Sequence, residues 1–391
     1  MVEREDLSIP ERVQKEVFEQ RTHYRFGRTE LIPKKAQVVE TDVDFSKILD
    51  LQEGDYVTIG GAGFLPFNAL LPRRTIFLER PETVGGENYY LEIKGYGANG
   101  RELYPNKHDE GDLFYGMFFD FARREYDYPK ILRDKGIENV QYPIALLKFD
   151  DLDFFSGALC GFEKLIKSRL LLWGPGPVDR VRNGVSKLFP EYEASIKELV
   201  KNRDEDFAKL LGKKTALAFF EVFSRSGREG LKQLVRKTGL EDELAGICDG
   251  REFGYAIRAV KSPFRVGDLH DEKIVTEKNK KIAKKIGETV RKMLELGFWH
   301  LTPNPGNWTT EGELVDFEDV ISYPSQFSEA EDDMRRRKIK TLEKYVRFCF
   351  GRGTIGYLTG EFQEGFMGEK TSTKVVIGQT LEILEELKAK S

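Results

Sequence analysis

The sequence predicts a two-lobed α+β molecule, strand-rich in front and mainly helical behind. Three observations carry that expectation. β-rich runs separated by Gly and Pro cluster between about residues 55 and 95, amphipathic helical patterns dominate after about residue 155, and regular βαβ alternation is absent. A chain of 391 residues exceeds one ordinary core, so two units are expected. With 40% hydrophobic and 12% aromatic residues there is enough apolar material to fill them.

The elements follow in order. Residues 1–50 are expected to be an N-terminal extension that opens on a short helix. Ser8 and Glu11 have capping-box spacing, Pro10 sits in the first turn, and Val13, Val17 and Phe18 make an apolar stripe. Residues 51–152 are expected to form the strand-rich lobe, with strands at 56–59, 75–78, 89–94 and 141–149 and one helix over about 113–135. Pro129 is expected to kink or end that helix. Residues 153–391 are expected to form the helical lobe, with helices over 157–172, 190–211, 214–224, 228–238, 274–296, 329–349 and 374–389. One short hairpin, 308–317, interrupts them and turns at Glu311-Gly312.

Composition excludes several classes. Sixty-two Lys+Arg against 66 Asp+Glu give a formal charge of −4, which argues against a general nucleic-acid surface. The lysines of residues 278–285 fall opposite an Ile282/Ile286 stripe, so they are expected on a solvated helix face. Arg335-Arg-Arg-Lys338 follows an acidic turn on one helix, as the helix dipole prefers. The three cysteines, Cys160, Cys248 and Cys349, are too dispersed for a disulfide framework or a cysteine zinc site. No signal core and no run of about 20 apolar residues is present, so a cytoplasmic location away from membranes is expected.

The chemistry concentrates in one stretch. Leu296-Gly-Phe-Trp-His300-Leu-Thr302-Pro-Asn304-Pro-Gly306-Asn307-Trp follows an amphipathic helix, and Glu313-Leu-Val-Asp316-Phe-Glu318 follows in turn. Asn307 offers an amide oxygen and Asp316 a carboxylate, hard ligands suited to Mg²⁺ bound to phosphates. His300 is placed to hold the loop, with Asn304 supporting it. Lys94 ends a strand, Tyr90-Leu-Glu-Ile-Lys94, and Glu125 lies on the next helix, an order that suits a phosphate-binding ammonium oriented by a carboxylate. Ile59-Gly60-Gly61-Ala-Gly63 is a candidate phosphate loop because small residues let backbone N–H groups approach an anion; a plain hairpin turn is the alternative.

The His300-to-Asn307 spacing and the following Asp316 resemble the protein-kinase catalytic loop and its metal-binding aspartate. Pro305-Gly306-Asn307 resembles the loop of aminoglycoside phosphotransferase-type kinases. Lys94-Gly-Tyr-Gly, the Arg124-Glu125-Tyr segment running to Gly136-Ile137, and Gly297-Phe-x-His-x-x-x-Asn304-x-x-Asn307 resemble selenoprotein O, whose members transfer AMP to protein hydroxyls. The resemblance spans roughly residues 55–320. It implies a bilobal protein kinase-like fold with a β-rich N-lobe and a mainly helical C-lobe. It also implies binding of ATP with Mg²⁺ or Mn²⁺, and Arg169 as a triphosphate ligand.

The sequence departs from the family at two places. Thr302 stands where kinases carry the catalytic Asp, and Gly306 where selenoprotein O carries an Asp between two asparagines. Two readings follow. One is transfer of phosphate or AMP to a protein or small-molecule hydroxyl, with positioning and charge neutralisation carrying the reaction. The other is an inactive pseudokinase serving as a nucleotide-regulated scaffold. Two further motifs are decoys. Gly95-Tyr-Gly97-Ala-Asn-Gly100 lacks the apolar helix a dinucleotide fold needs, and Gly267-Asp268-Leu-His270 is expected to be a surface turn.

Overall fold

The computed structural model describes residues 25–42, 50–67, 75–78, 82–84, 87–94, 117–149, 166, 170, 177–202, 204–241, 252–268, 276–301, 304–351 and 358–390. The expected helix near residues 8–18, most of the expected helix 157–172, and the 95–100 glycine motif lie outside them. In the first part, strands β1 (Arg25–Thr41), β2 (Tyr56–Phe67), β3 (Thr75–Leu78), β4 (Glu82–Val84), β5 (Glu87–Lys94) and β6 (Met117–Phe118) precede helix α1 (Phe119–Asp134) and strand β7 (Tyr142–Phe149). Helices α2 (Pro177–Leu188), α3 (Glu193–Asn202) and α4 (Glu205–Thr238) lead to β8 (Phe253–Val260). Helix α5 (Glu277–Glu295) then feeds β9 (Phe298–His300), which pairs with β10 (Val320–Ser322). Helices α6 (Phe327–Arg336), α7 (Leu342–Gly351), α8 (Thr359–Met367) and α9 (Thr373–Ala389) complete a mixed α+β structure.

Eight strands form one antiparallel sheet in the order β4-β5-β3-β2-β1-β7-β8-β6, and β5 pairs with β8 as well. That extra pairing curls the sheet until strands distant in its order meet. Two of these strands correct the expected layout. β1 lies within the segment expected to be an extension, yet it pairs with both β2 and β7. β8 lies in a stretch expected to be helical, and it pairs with β5, β6 and β7. Its run Gly254-Tyr-Ala-Ile-Arg-Ala-Val260 is buried throughout, so it has no polar face and no alternation to betray it.

The helices also differ in grouping. The expected helices 190–211, 214–224 and 228–238 become a 3₁₀ turn, α3 and the 34-residue α4, which Asp204 caps by accepting from the Phe207 N–H. Only a kink at Gly227 (φ 59°) interrupts α4. The expected helix 329–349 divides into α6 and α7. Val181, Val185, Leu199, Leu211, Phe219 and Val235 share one apolar cluster with Val38, Ile93, Leu147 and Ile257 of the sheet. The boundary expected at 153 therefore does not separate these helices from the strands, because their apolar stripes are what cover the sheet. Each large apolar side chain so buried contributes about 1.5–3 kcal/mol. A second cluster unites Ile282, Ile286 and Met293 of α5 with Trp308, Leu314, Phe317, Val346, Phe362 and Leu384.

Helix α1 gives Leu132 to this second cluster and builds a third with Phe119, Ala122 and Tyr126 against Met117 and Leu146. Its buried positions are Phe119, Ala122, Glu125, Tyr126, Pro129 and Leu132, a stripe at helical spacing that includes one carboxylate and one proline. Asp120 in the first turn and Arg133 in the last complement the helix dipole. The helix runs through Pro129 to Asp134, so the proline does not end it. Among the described residues no helix is long and apolar enough to cross a membrane.

Candidate functional site

Four side chains from three distant stretches of sequence meet at the end of β5. Lys94, 4% exposed, is its last residue, and its Nζ lies 3.3 Å from Glu125 Oε1 of α1 and 2.8 Å from Glu318 Oε1. It also pairs with Asp316 Oδ1. Burial pulls the Lys94 pKa down, but Asp316, Glu125 and Glu318 together outweigh it and hold the ammonium above the ordinary lysine range. The amine stays charged. Glu318, two residues past Asp316, is thus a direct partner of Lys94.

A second layer holds this cluster from behind. Arg258 of β8 stands directly opposite Glu92 of β5 in the ladder, and its Nε donates to Glu92 Oε2 at 2.6 Å. Its Nη1 donates to Glu125 Oε2 at 2.9 Å and to Gln141 Oε1 at 2.7 Å. Arg265 Nη2 donates to Glu92 Oε1 at 3.1 Å. Glu92 and Glu125 are fully buried and Arg258 is 1% exposed. Among the described residues, Lys94, Arg258 and Arg265 thus pair with Glu92, Glu125, Asp316 and Glu318 in one connected network. Oxygens of Glu125, Asp316 and Glu318 all lie within 4.8 Å of one another. Hard oxygen donors this close together fit Mg²⁺ or Mn²⁺ chemistry.

The loop after α5 supplies the remaining groups. Thr276 caps α5 by accepting from the Asn279 N–H, and Gly297 at φ 82° turns the chain into β9. A side chain at Gly297 would meet the Tyr323 carbonyl at 2.8 Å, so both the turn and the β9–β10 pairing need a glycine there. His300 is buried, and its Nε2 accepts from Asn307 Nδ2 at 3.2 Å. The ring also bonds the Asp316 backbone, and burial, the dominant cause, lowers its pKa to about 4. A neutral imidazole clamped between Asn307 and Asp316 is a loop anchor. Asn304 Oδ1 accepts from Gly306 N–H at 2.8 Å, which shapes the Pro305–Asn307 turn. Asn307 is 6% exposed, and its carbonyl accepts from Val315 N–H at 2.8 Å, joining the loop to the segment that leads into Asp316. Asp316 itself is left-handed at φ 75°, an uncommon conformation for a residue with a side chain. Gly267 packs against Pro305 and Gly306, so that turn supports the loop and is more than a surface feature.

Other expected residues fall elsewhere. Gly60, Gly61 and Gly63 lie inside β2, where Leu31 pairs with Gly61 and Thr29 with Gly63. They form neither a loop nor a hairpin turn. The register shifts between Leu31 and Lys34, so Gly60 sits beside a bulge of β1 that contains Pro33, a residue with no ladder N–H to give. Arg169 and Thr302 lie outside the described residues. Sequence reasoning missed Glu92, Gln141 and Arg258 altogether. The two-residue spacing of Glu92 and Lys94, which puts both on one face of a strand, was the available signal.

The expected hairpin is present as a tight turn. Thr309 N–H donates to the Glu313 carbonyl at 2.9 Å, Trp308 bridges Leu314, and Gly312 takes φ 81°. Glu313 Oε2 reaches across to accept the Lys261 N–H at 2.7 Å, tying the segment after β8 to this turn. Burial raises the Glu313 pKa to about 7, with Lys261, Thr309 and Arg265 opposing. An acid whose folded pKa exceeds its unfolded value binds its proton more tightly when folded. Its contribution is therefore full below about pH 4.5 and is lost as pH rises through 7. Glu313→Gln is expected to flatten the fall in stability over that window, by on the order of 3 kcal/mol, in urea titrations across pH. An unchanged slope would refute this assignment.

Compared with known proteins, the chain matches no family model and no curated protein.

Proposed function

We propose that this cleft binds a nucleoside triphosphate with Mg²⁺ or Mn²⁺, and that the chain is an ATP-dependent transferase of bilobal, protein kinase-like fold. The observation that carries the reading is the convergence of Lys94, Glu125 and Asp316 on one ammonium, across 222 residues of sequence. The order of parts supports it in outline: a strand ending in lysine, a helix bearing glutamate, strand β7, helices α2–α4, strand β8, helix α5, an Asn-containing loop and a metal-type aspartate. In this reading Lys94 neutralises phosphate charge, Glu125 orients it, and Asn307 and Asp316 hold the metal. His300 and Asn304 fix the loop. A metal held by Asn307 and Asp316 would supply charge screening for the phosphate oxygens. An acceptor hydroxyl, on a protein or a small molecule, would then attack phosphorus. Attack at the terminal phosphorus releases ADP, and attack at the first releases pyrophosphate.

A second reading is a scaffold without turnover. It is favoured by Lys94 being already enclosed by three carboxylates, which can hold the cleft together without nucleotide. Incubation with ATP and Mg²⁺ or Mn²⁺, followed by intact-mass analysis and thermal melting, separates the two. Added phosphate or AMP is expected from a transferase. Stabilisation without modification would support the scaffold, and no response to any nucleotide would sink both.

A further inference from the structure

Pro129 sits inside α1 and is buried. It has no N–H, so the carbonyl four residues earlier, that of Glu125, loses its helical donor. Gln141, fully buried at the entrance to β7, fills the gap: its Nε2 donates to the Glu125 carbonyl at 2.8 Å. The second hydrogen of the same amide goes to Glu125 Oε2 at 2.9 Å, while Gln141 Oε1 accepts from Arg258 Nη1. The Gln141 backbone N–H donates to the Leu314 carbonyl at 2.9 Å, two residues before Asp316. One glutamine therefore touches both the helix that presents Glu125 and the segment that leads into Asp316.

We propose that Gln141 is a positioning residue for the Lys94–Glu125 pair, and that the proline at 129 creates the acceptor that holds it. The carboxylate of Glu125 is divided between two sets of partners. Oε2 faces the frame of Gln141 and Arg258, while Oε1 faces Lys94 and the Glu318 N–H, at 3.3 and 3.2 Å. Fixing Oε2 stops the carboxylate from turning, which keeps Oε1 aimed at the ammonium. Helix α1 is thereby fastened in the arrangement that assembles the site. Its consequence for nucleotide binding rests on the function proposed above.

The test separates filling an orphan carbonyl from aiming a carboxylate. Gln141→Leu removes both bonds; adding Pro129→Ala to it supplies the missing helical N–H but leaves the carboxylate without its amide. Gln141→Leu is expected to lower Tm, to weaken Mg·ATP binding roughly tenfold, and to speed hydrogen exchange at the Glu318 amide roughly tenfold. Pro129→Ala/Gln141→Leu is expected to recover Tm while affinity and Glu318 exchange stay at the single-variant values. If Gln141→Leu does not fold, the double variant carries both readouts. Recovery of affinity and exchange together with Tm would reduce Gln141 to a backbone partner and overturn the proposal, as would wild-type exchange in Gln141→Leu. Should the wild type bind no Mg·ATP, the nucleotide reading fails, and Glu318 exchange alone decides the role of Gln141.

Discussion

Lys94→Met is expected to lower folding stability by about 3–5 kcal/mol at neutral pH, because it leaves three carboxylates around a buried position with no ammonium among them. The side chains are similar in length, so lost charge dominates over lost volume. Part of the loss is expected to return on mild acidification. Without Lys94 the three carboxylate groups, with oxygens within 4.8 Å of one another, repel unless one of them takes a proton, which is then held more tightly than in the unfolded chain. Such a group stabilises at low pH and ceases to as pH rises through the folded pKa. Urea unfolding at neutral and mildly acidic pH measures both effects. A loss below about 1 kcal/mol, insensitive to pH, would mean that Lys94 behaves as an exposed ion pair.

Arg258→Met is expected to cost a similar amount, about 3–5 kcal/mol, for a different reason. Arg258 serves Glu92, Glu125 and Gln141 at once, through two nitrogens of one planar group. Arg258→Lys should rescue less than half of the loss, since a single ammonium cannot address Glu92 and Glu125 from the same position. Glu92→Met combined with Arg258→Met should cost less than the sum of the two single changes, by on the order of 1–3 kcal/mol, because the double change removes both ends of one contact. Equilibrium unfolding of the four variants supplies the comparison. Full rescue by lysine would show that only charge matters there, and the forked geometry would lose its role.

Much of the site was legible because its groups are local to strong patterns. The strand ending at Lys94, the helix bearing Glu125, and the His300–Asn307 loop with its turn at Gly312 are announced by periodicity and by Gly and Pro. What stayed hidden depends on partners far along the chain. β8 is buried on both faces and shows no alternation, so Arg258 was lost with it. Pro129 looked like a helix breaker because the donor that replaces its missing hydrogen bond is Gln141, across the fold. The glycines at 60–63 looked like a loop because nothing local reveals that β1 pairs with them across a bulge. The apolar stripes of α2–α4 gave helices correctly, but stripes do not say which sheet or bundle they will cover.

The most direct measurement is a crystal structure with Mn²⁺ and a non-hydrolysable ATP analogue, located by the anomalous signal of manganese. The account predicts one manganese peak ligated by Asp316 and Asn307, with the triphosphate on the Lys94 ammonium and Glu125 still held by Gln141 and Arg258. Manganese bound elsewhere, with Lys94 closed on Glu125, Asp316 and Glu318 and no nucleotide in the cleft, would contradict it.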